Sequence, residues 1–294
     1  MDFQSIALPS ELRYLANAGA NIEWFLIYPK QILKKIYLYL CHSKSTTMLL
    51  AIDAGNTQIK WAVFEQNTLV KKENTTYNDW RNSLKNILIN FSNIKNIVVS
   101  SVGKLNKEDF FDLYSTIEIE FISNLSIFPF KNLYATPQTL GIDRMILASG
   151  AVLQFPKKNR LIIDVGTCIT YDFIDENNNY LGGAISPGIK LRYESLHNYT
   201  AKLPLLTKQI PEQLIGNTTD QSIHSGIING IVMEIDGYIS SNLKIYDNFI
   251  IILTGGDTDF LAERLKNTIF ANSNFLLESL NQTFQYQQQW LKKL

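Results

Sequence analysis

Leu49-Leu50-Ala51-Ile52-Asp53-Ala54-Gly55-Asn56-Thr57 and Leu161-Ile162-Ile163-Asp164-Val165-Gly166-Thr167 carry one pattern twice. Each is a short apolar run that ends in Asp and then turns through Gly to Thr. A second apolar-rich run follows each turn, Ile59 to Phe64 in one case and Cys168 to Phe173 in the other. Short apolar runs split by a Gly/Asn/Thr turn read as two β-hairpins. A repeated unit argues for two related domains, with a boundary near Phe155 to Arg160. Helical patterns separate the strands: Trp80 to Phe91, Lys107 to Ser115 and Met145 to Leu153. Ile97 to Val102 reads as a buried strand. Phe249 to Leu253 is a last strand; it runs into Thr254-Gly255-Gly256-Asp257, with a helix predicted over Phe260 to Thr268. The class is α/β.

An Asp-x-Gly-(Asn)-Thr turn at the end of a strand has a chemical logic. Glycine lets the backbone turn sharply and approach a ligand. Asn and Thr side chains and free N–H groups bind phosphate oxygens, and the Asp is an oxygen ligand for a hard cation such as Mg²⁺. One such turn is an ordinary hairpin; two, with a third glycine turn, can grip a polyphosphate from both sides. The sequence holds no GxxxxGK[ST], no GxGxxG after a strand, no kinase HRD or DFG and no GxSxG.

Gly141-Ile142-Asp143-Arg144 stands where a helix begins. Two readings are open. Asp143 stabilises the helix N-terminus and Arg144 makes a surface pair, or Asp143 accepts a hydroxyl proton while Arg144 binds a carboxylate. Gly182 to Gly188 is either a turn shaping a pocket or only a loop. Gly216 to Gly226 leads into a helix from Ile227, with Asp220 as its cap and Thr218, Thr219 and Ser225 able to face a ligand. Cys168 is expected as a buried inert thiol, His197 and His224 as surface or satisfied core residues, and Phe284 to Trp290 as a packing helix.

Composition excludes several classes. The 294 residues are 46% hydrophobic and 18% charged, a globular balance, and 27 basic residues match 27 acidic ones. Without a basic excess the chain is not expected to bind nucleic acid. Two cysteines, in unlike contexts, suit a reducing compartment and the cytoplasm. Three dispersed histidines form no zinc motif. No apolar run has the length of a membrane span, since Pro29, Lys30, Lys34 and Lys35 interrupt the best candidate. Residues 1–47 read differently from the rest, as an amphipathic helix at a membrane surface, an extra packed helix, or a start assigned too early, with Met48 a ready second start. The membrane is not the expected partner.

Taken together and in order, Asp53 to Lys60, Gly141 to Arg144, Asp164 to Asp172, Gly182 to Gly188, Leu196 to Pro204 and Thr254 to Gly256 resemble the type III pantothenate kinases. These belong to the acetate kinase/sugar kinase/Hsp70/actin superfamily. The resemblance implies two ribonuclease-H-like (actin-like ATPase) domains around an ATP cleft, at 48–158 and 159–294 after an extension at 1–47, in a homodimer. It implies ATP-dependent phosphorylation of pantothenate, the first step of coenzyme A synthesis. Asp53, Ala54, Gly55, Asn56, Thr57, Gln58, Ile59 and Lys60 match the ATP-phosphate loop, with Asp53 near Mg²⁺, and Thr167 matches an ATP contact. Asp143 matches the general base. Tyr134, Gly141, Ile142, Asp143, Arg144 and Thr219 match the pantothenate contacts, with Thr218 one residue from Thr219. Asp164 matches the ligand of a monovalent cation, K⁺ or NH₄⁺. Cys168 stands where Ala is usual. The resemblance extends to transcription-accessory relatives, so a non-catalytic regulator is the alternative; a polyphosphate phosphatase or sugar kinase of the same superfamily is a further one.

Overall fold

The computed structural model describes residues 47–102, 105–113 and 116–292, and the readings made for residues 1–46 fall outside them. The first hairpin is β1 (Met48–Ala54) and β2 (Ile59–Glu65), continued by β3 (Thr68–Thr75). Helix α1 (Trp80–Asn90) leads to β4 (Ile94–Ser101) and, after a 3₁₀ stretch at Lys107–Leu113, to β5 (Glu118–Phe121). After the short β6 (Lys131–Asn132) come α2 (Ile142–Gln154), β7 (Asn159–Val165), β8 (Cys168–Ile174) and β9 (Asn179–Pro187). The chain continues through α3 (Ile189–Asn198), α4 (Thr219–His224) and α5 (Gly230–Leu243). It ends with β10 (Phe249–Thr254), α6 (Thr258–Ala262), β11 (Phe270–Ala271) and α7 (Phe275–Leu291).

The repeat read from the two hairpins extends to whole sheets. The first sheet has the order β3-β2-β1-β4-β5, and the second β11-β10-β7-β8-β9-β6. In each, the hairpin is antiparallel and the third strand antiparallel to it, while the fourth and fifth strands run parallel to the first. This is the ribonuclease-H-like order used twice, with β6 added beside β9.

Strand alternation sorts the core into three layers. Leu50, Ile52, Trp61 and Val63 face α1 on the outside of the first sheet. Leu161, Ile163, Ile251 and Leu253 face α3 and α5 on the outside of the second. The opposite parity, Leu49, Ala51, Ala62 and Phe64 in one sheet and Ile162, Ile174 and Ile252 in the other, encloses α2 and α7. At their crossing the two helices touch closely: a Cβ on Gly150 would lie 1.9 Å from Ser279 Oγ.

Four local expectations are corrected. The Lys107–Ser115 helix is a 3₁₀ segment that spans Lys107–Leu113. The helix expected over Phe260 to Thr268 spans only Thr258–Ala262, because the Asp236 carboxylate of α5 accepts from the Lys266 N–H (3.1 Å) and the Asn267 amide (2.9 Å), drawing the chain out of the helix. The stretch from Gly182 to Pro187 is neither turn nor loop but most of β9, with Asp172 paired to Gly183 and Cys168 to Pro187. A Cβ on Gly183 would meet the Tyr171 carbonyl, which is why a glycine sits inside this strand. The helix expected from Ile227 begins at Thr219, and its cap is Thr218, whose hydroxyl accepts from the Gln221 N–H (3.2 Å), not Asp220. A π-helical turn at Ser225–Asn229 joins α4 to α5.

Candidate active site

The parity that buries the middle layer also builds the site. Continuing the inner faces by one step gives Asp53 and Lys60 from the first hairpin and Asp164 and Thr254 from the second sheet. Asp53 and Lys60 are direct cross-strand partners, as are Asp164 and Thr254. Here the apolar layer ends, and α2 presents its first turn with Asp143, half-buried, and Gly141 as the preceding residue.

Both Asp-x-Gly-Thr turns close on themselves and then meet. The Gly55 N–H donates to the Gln58 carbonyl (3.1 Å) and the Gly166 N–H to the Cys168 carbonyl (3.0 Å). Across the gap Thr57 Oγ1 and Thr167 Oγ1 lie 3.5 Å apart. The third turn is tied to the second, since the Asp257 N–H donates to the Val165 carbonyl (3.0 Å). Gly255 within it has φ +104°, and a Cβ there would lie 2.3 Å from Asp164 Oδ1. The turns border a cleft of about 670 Å³, within the usual range for a small-molecule site. Gly55, Asn56, Thr57, Gln58 and Lys60 line one side, and Gly166, Thr167 and Gly256 the other. Ile189, Tyr193, Leu205 and Leu206 give it an apolar wall, and Lys208 pairs with Asp257 at its rim.

The electrostatics are those of crowded acid groups. Burial, with the nearby Asp143, pushes the Asp53 carboxyl up to about 6 against the pull of Lys60. Burial and the charges of Asp143, Asp53 and Asp172 push Asp164 up to about 7, again against Lys60. Asp143 is thus close enough to raise the carboxyls of Asp53 and Asp164, with the Lys60 ammonium opposing the rise at both. Among the described residues no three Asp, Glu, His or Cys side chains converge as a metal cage.

Next to this cluster lies a second one. Arg144 is 6% exposed; its Nε donates to Asp172 Oδ1 (2.8 Å), and Nη2 lies 2.7 Å from the same oxygen. The Tyr134 ring centre is 6.0 Å from the Arg144 guanidinium carbon. Asp172 and Tyr180 were not singled out by sequence as site residues. A carboxylate in the middle of an apolar strand is the signal that could have found them, because a buried charge requires a partner.

The structure thus gathers Asp53, Lys60, Thr57 and Thr167 at one cleft, and places Asp164 in an adjoining pocket of about 200 Å³ that Lys60 and Gly256 also line. The side chains of Ala54 and Ile59 belong to the outer core and that of Ile142 to the middle layer, so only their backbones are available to a ligand. Thr219 is not brought to the cleft. With Thr218, Leu196, Leu203 and Gly216 it lines a separate cavity of about 620 Å³ that shares no lining residue with the first. Cys168 is exposed rather than buried, because it is the first residue of β8, on the face whose buried positions, Asp172 and Ile174, lie further along the strand. His197 is exposed, and His224 is a satisfied core residue whose Nδ1 lies 2.7 Å from the Tyr193 hydroxyl.

The profile of the type III pantothenate kinase family matches residues 49–241. The chain belongs to that family. A type III pantothenate kinase of Flavobacterium psychrophilum is 62% identical over 240 residues, 82% of this chain and 100% of the relative. One from Flavobacterium johnsoniae is 60% identical over 239 residues, 81% of this chain and 98% of the relative. Among solved structures, a protein described as a conserved Baf family transcriptional activator from Campylobacter jejuni superposes with TM-score 0.56 at 21% identity. It covers 82% of this chain and 99% of its own. At that identity it attests the fold of the family and not an activity. Among the described residues no helix is long and apolar enough to cross a membrane.

Proposed function

We propose that this chain transfers the γ-phosphoryl group of ATP to the primary hydroxyl of pantothenate. The observation that carries the reading is the meeting of the two Asp-x-Gly-Thr turns, Thr57 to Thr167, over an acidic floor that a helix N-terminus enters. The acceptor is taken from the names of the relatives at 62% and 60% identity. The same names favour the kinase over the regulator reading.

In this reading the turns at Gly55–Lys60 and at Gly166–Thr167 hold the phosphates with N–H and hydroxyl groups, and Lys60 supplies an ammonium beside Asp53. Asp143 takes the proton of the attacking hydroxyl. It sits in the first turn of a 13-residue helix, at the positive end of the helix dipole, with the acceptor's hydroxyl brought to it by the residues beside it. Arg144 binds the acceptor's carboxylate, with Tyr134 and Gly141 nearby. Asp53 would hold Mg²⁺ and Asp164 a monovalent cation, K⁺ or NH₄⁺; both carboxyls are pushed up by burial in a site short of positive charge. When bound, such cations offset the charge that develops on the transferring phosphoryl group. Positioning and electrostatics suffice, and no covalent intermediate is required.

We further assign the two ribonuclease-H-like units to 48–158 and 159–294, a homodimer as the working form and the cytoplasm as the location. The test is ADP release by the folded protein with pantothenate, Mg²⁺ and K⁺. Asp143→Asn should lower kcat by about 10²-fold or more while leaving the KM for ATP near its original value. Folded protein that releases no pantothenate-dependent ADP overturns the reading in favour of a regulator, and an Asp143→Asn enzyme with unchanged kcat overturns the base assignment.

A further inference from the structure

Arg144 reaches the inner face of β8, where Asp172 stands between Thr170 and Ile174 on the same side of the strand. Asp172 is wholly buried, and each of its oxygens is engaged. Oδ1 accepts from Arg144 Nε (2.8 Å) and from the Tyr180 hydroxyl (2.5 Å), with Arg144 Nη2 at 2.7 Å; Oδ2 accepts from Thr170 Oγ1 (3.2 Å). A guanidinium is planar, with its N–H groups in a fixed fork. Holding the edge that carries Nε and Nη2 fixes the plane of the guanidinium and with it the direction of the Nη1 end. Tyr180 has a second contact: its ring meets that of Tyr134 edge to face, with centres 6.2 Å apart and planes at 66°. One tyrosine therefore braces both the anchor of the arginine and the aromatic ring beside it.

We propose that Asp172 and Tyr180 are positioning residues that aim Arg144 at the acceptor's carboxylate, so that the preference for a carboxylate-bearing alcohol is set from β8 and β9. The inference rests on the reading above in which Arg144 binds pantothenate. Asp172 touches no substrate in it and acts only through Arg144. A buried ion pair kept for folding alone would support every substrate equally. A pair kept for aim supports only substrates with an anion to be aimed at.

The experiment compares pantothenate with its alcohol analogue, in which the carboxylate is reduced to a hydroxymethyl group. For Asp172→Asn the KM for pantothenate is expected to rise about tenfold or more, with kcat changed less than about threefold and the KM for ATP unmoved. With the alcohol analogue the same substitution should change KM by less than about twofold. Tyr180→Phe keeps the ring and removes one hydroxyl, and it should raise the KM for pantothenate about threefold, again sparing the analogue. It tests the idea even if Asp172→Asn does not fold. Arg144→Lys combined with Asp172→Asn should be no worse than Arg144→Lys alone, because the aspartate has lost the group it aims. Equal effects on both substrates, or an unchanged KM for pantothenate in both single variants, overturn the positioning role while leaving the kinase reading intact. A folded wild type without pantothenate-dependent turnover overturns both.

Discussion

Replacing Asp53 by Asn should make the protein more stable and less active. Asp53 is 4% exposed, and its carboxyl is pushed from 3.8 to about 6, first by burial and then by Asp143. A folded-state pKa above the unfolded one means that the folded chain binds the proton more tightly. The carboxyl therefore costs nothing below the unfolded pKa, and the stability it removes grows as pH rises from there through the folded one. A shift of about two units corresponds to about 3 kcal/mol at pH 8, about half of that at pH 5 and little at pH 4. Asn removes the charge at nearly constant volume. Part of the gain is lost again because Lys60 loses its cross-strand partner, so a net gain of about 1–3 kcal/mol is expected at pH 8. For a unit of this size that is about 2–4 °C in Tm per kcal/mol. The assay is thermal unfolding of wild type and Asp53→Asn at pH 8, 6 and 5 without nucleotide or divalent ions, beside ADP release at pH 8. The gain should shrink as pH falls, and turnover should drop because the proposed Mg²⁺ ligand is lost. A variant less stable than wild type at pH 8, or a gain independent of pH, refutes the claim that uncompensated charge is held here for function.

Two further substitutions test the geometry. Gly150→Ala places a Cβ 1.9 Å from Ser279 Oγ where α2 crosses α7, and it should cost about 1–3 kcal/mol in urea unfolding; an unchanged midpoint would mean that the helices are not in contact there. Gly255→Ala combines φ +104° with a Cβ 2.3 Å from Asp164 Oδ1, so it should lower both stability, by about 1–2 kcal/mol, and turnover; full activity would remove this turn from the site.

Local features were legible in the sequence and long-range ones were not. The hairpin β1–β2 needs only a turn and two apolar runs, and its register, Asp53 opposite Lys60, follows from the turn. Nothing local says that β4, beyond α1, pairs parallel with β1, or that the glycines at 182 and 183 lie in a strand; both depend on a neighbour that only the tertiary fold provides. The end of α6 failed for the same reason, since a carboxylate on α5 draws the chain away there, whereas the cap of α4 is local: Thr218 rather than Asp220 takes the Gln221 N–H. The pairing of Arg144 with Asp172 joins residues 28 positions apart and is invisible to any spacing rule, although each was a visible charge in an apolar setting.

Strand parity explains why the catalytic candidates could nonetheless be picked out. Along β1 the inner face reads Leu49, Ala51, Asp53, and along β7 it reads Ile162, Asp164. Ala51 is wholly buried in the layer that holds α2 and α7; an aspartate there would be a charge with neither partner nor water. Two residues later the same face has passed the end of the helical layer, and a carboxylate meets Lys60, the first turn of α2 and the cleft. The step from alanine to aspartate on one face therefore marks where the core stops, and its repetition in the second sheet puts the two acidic ends opposite each other. A single strand ending in Asp-x-Gly would leave one carboxylate at a solvent edge. Two, folded by the same topology onto the two sides of one helical layer, force their acids together, which is why Asp53 and Asp143 both help to raise the carboxyl of Asp164.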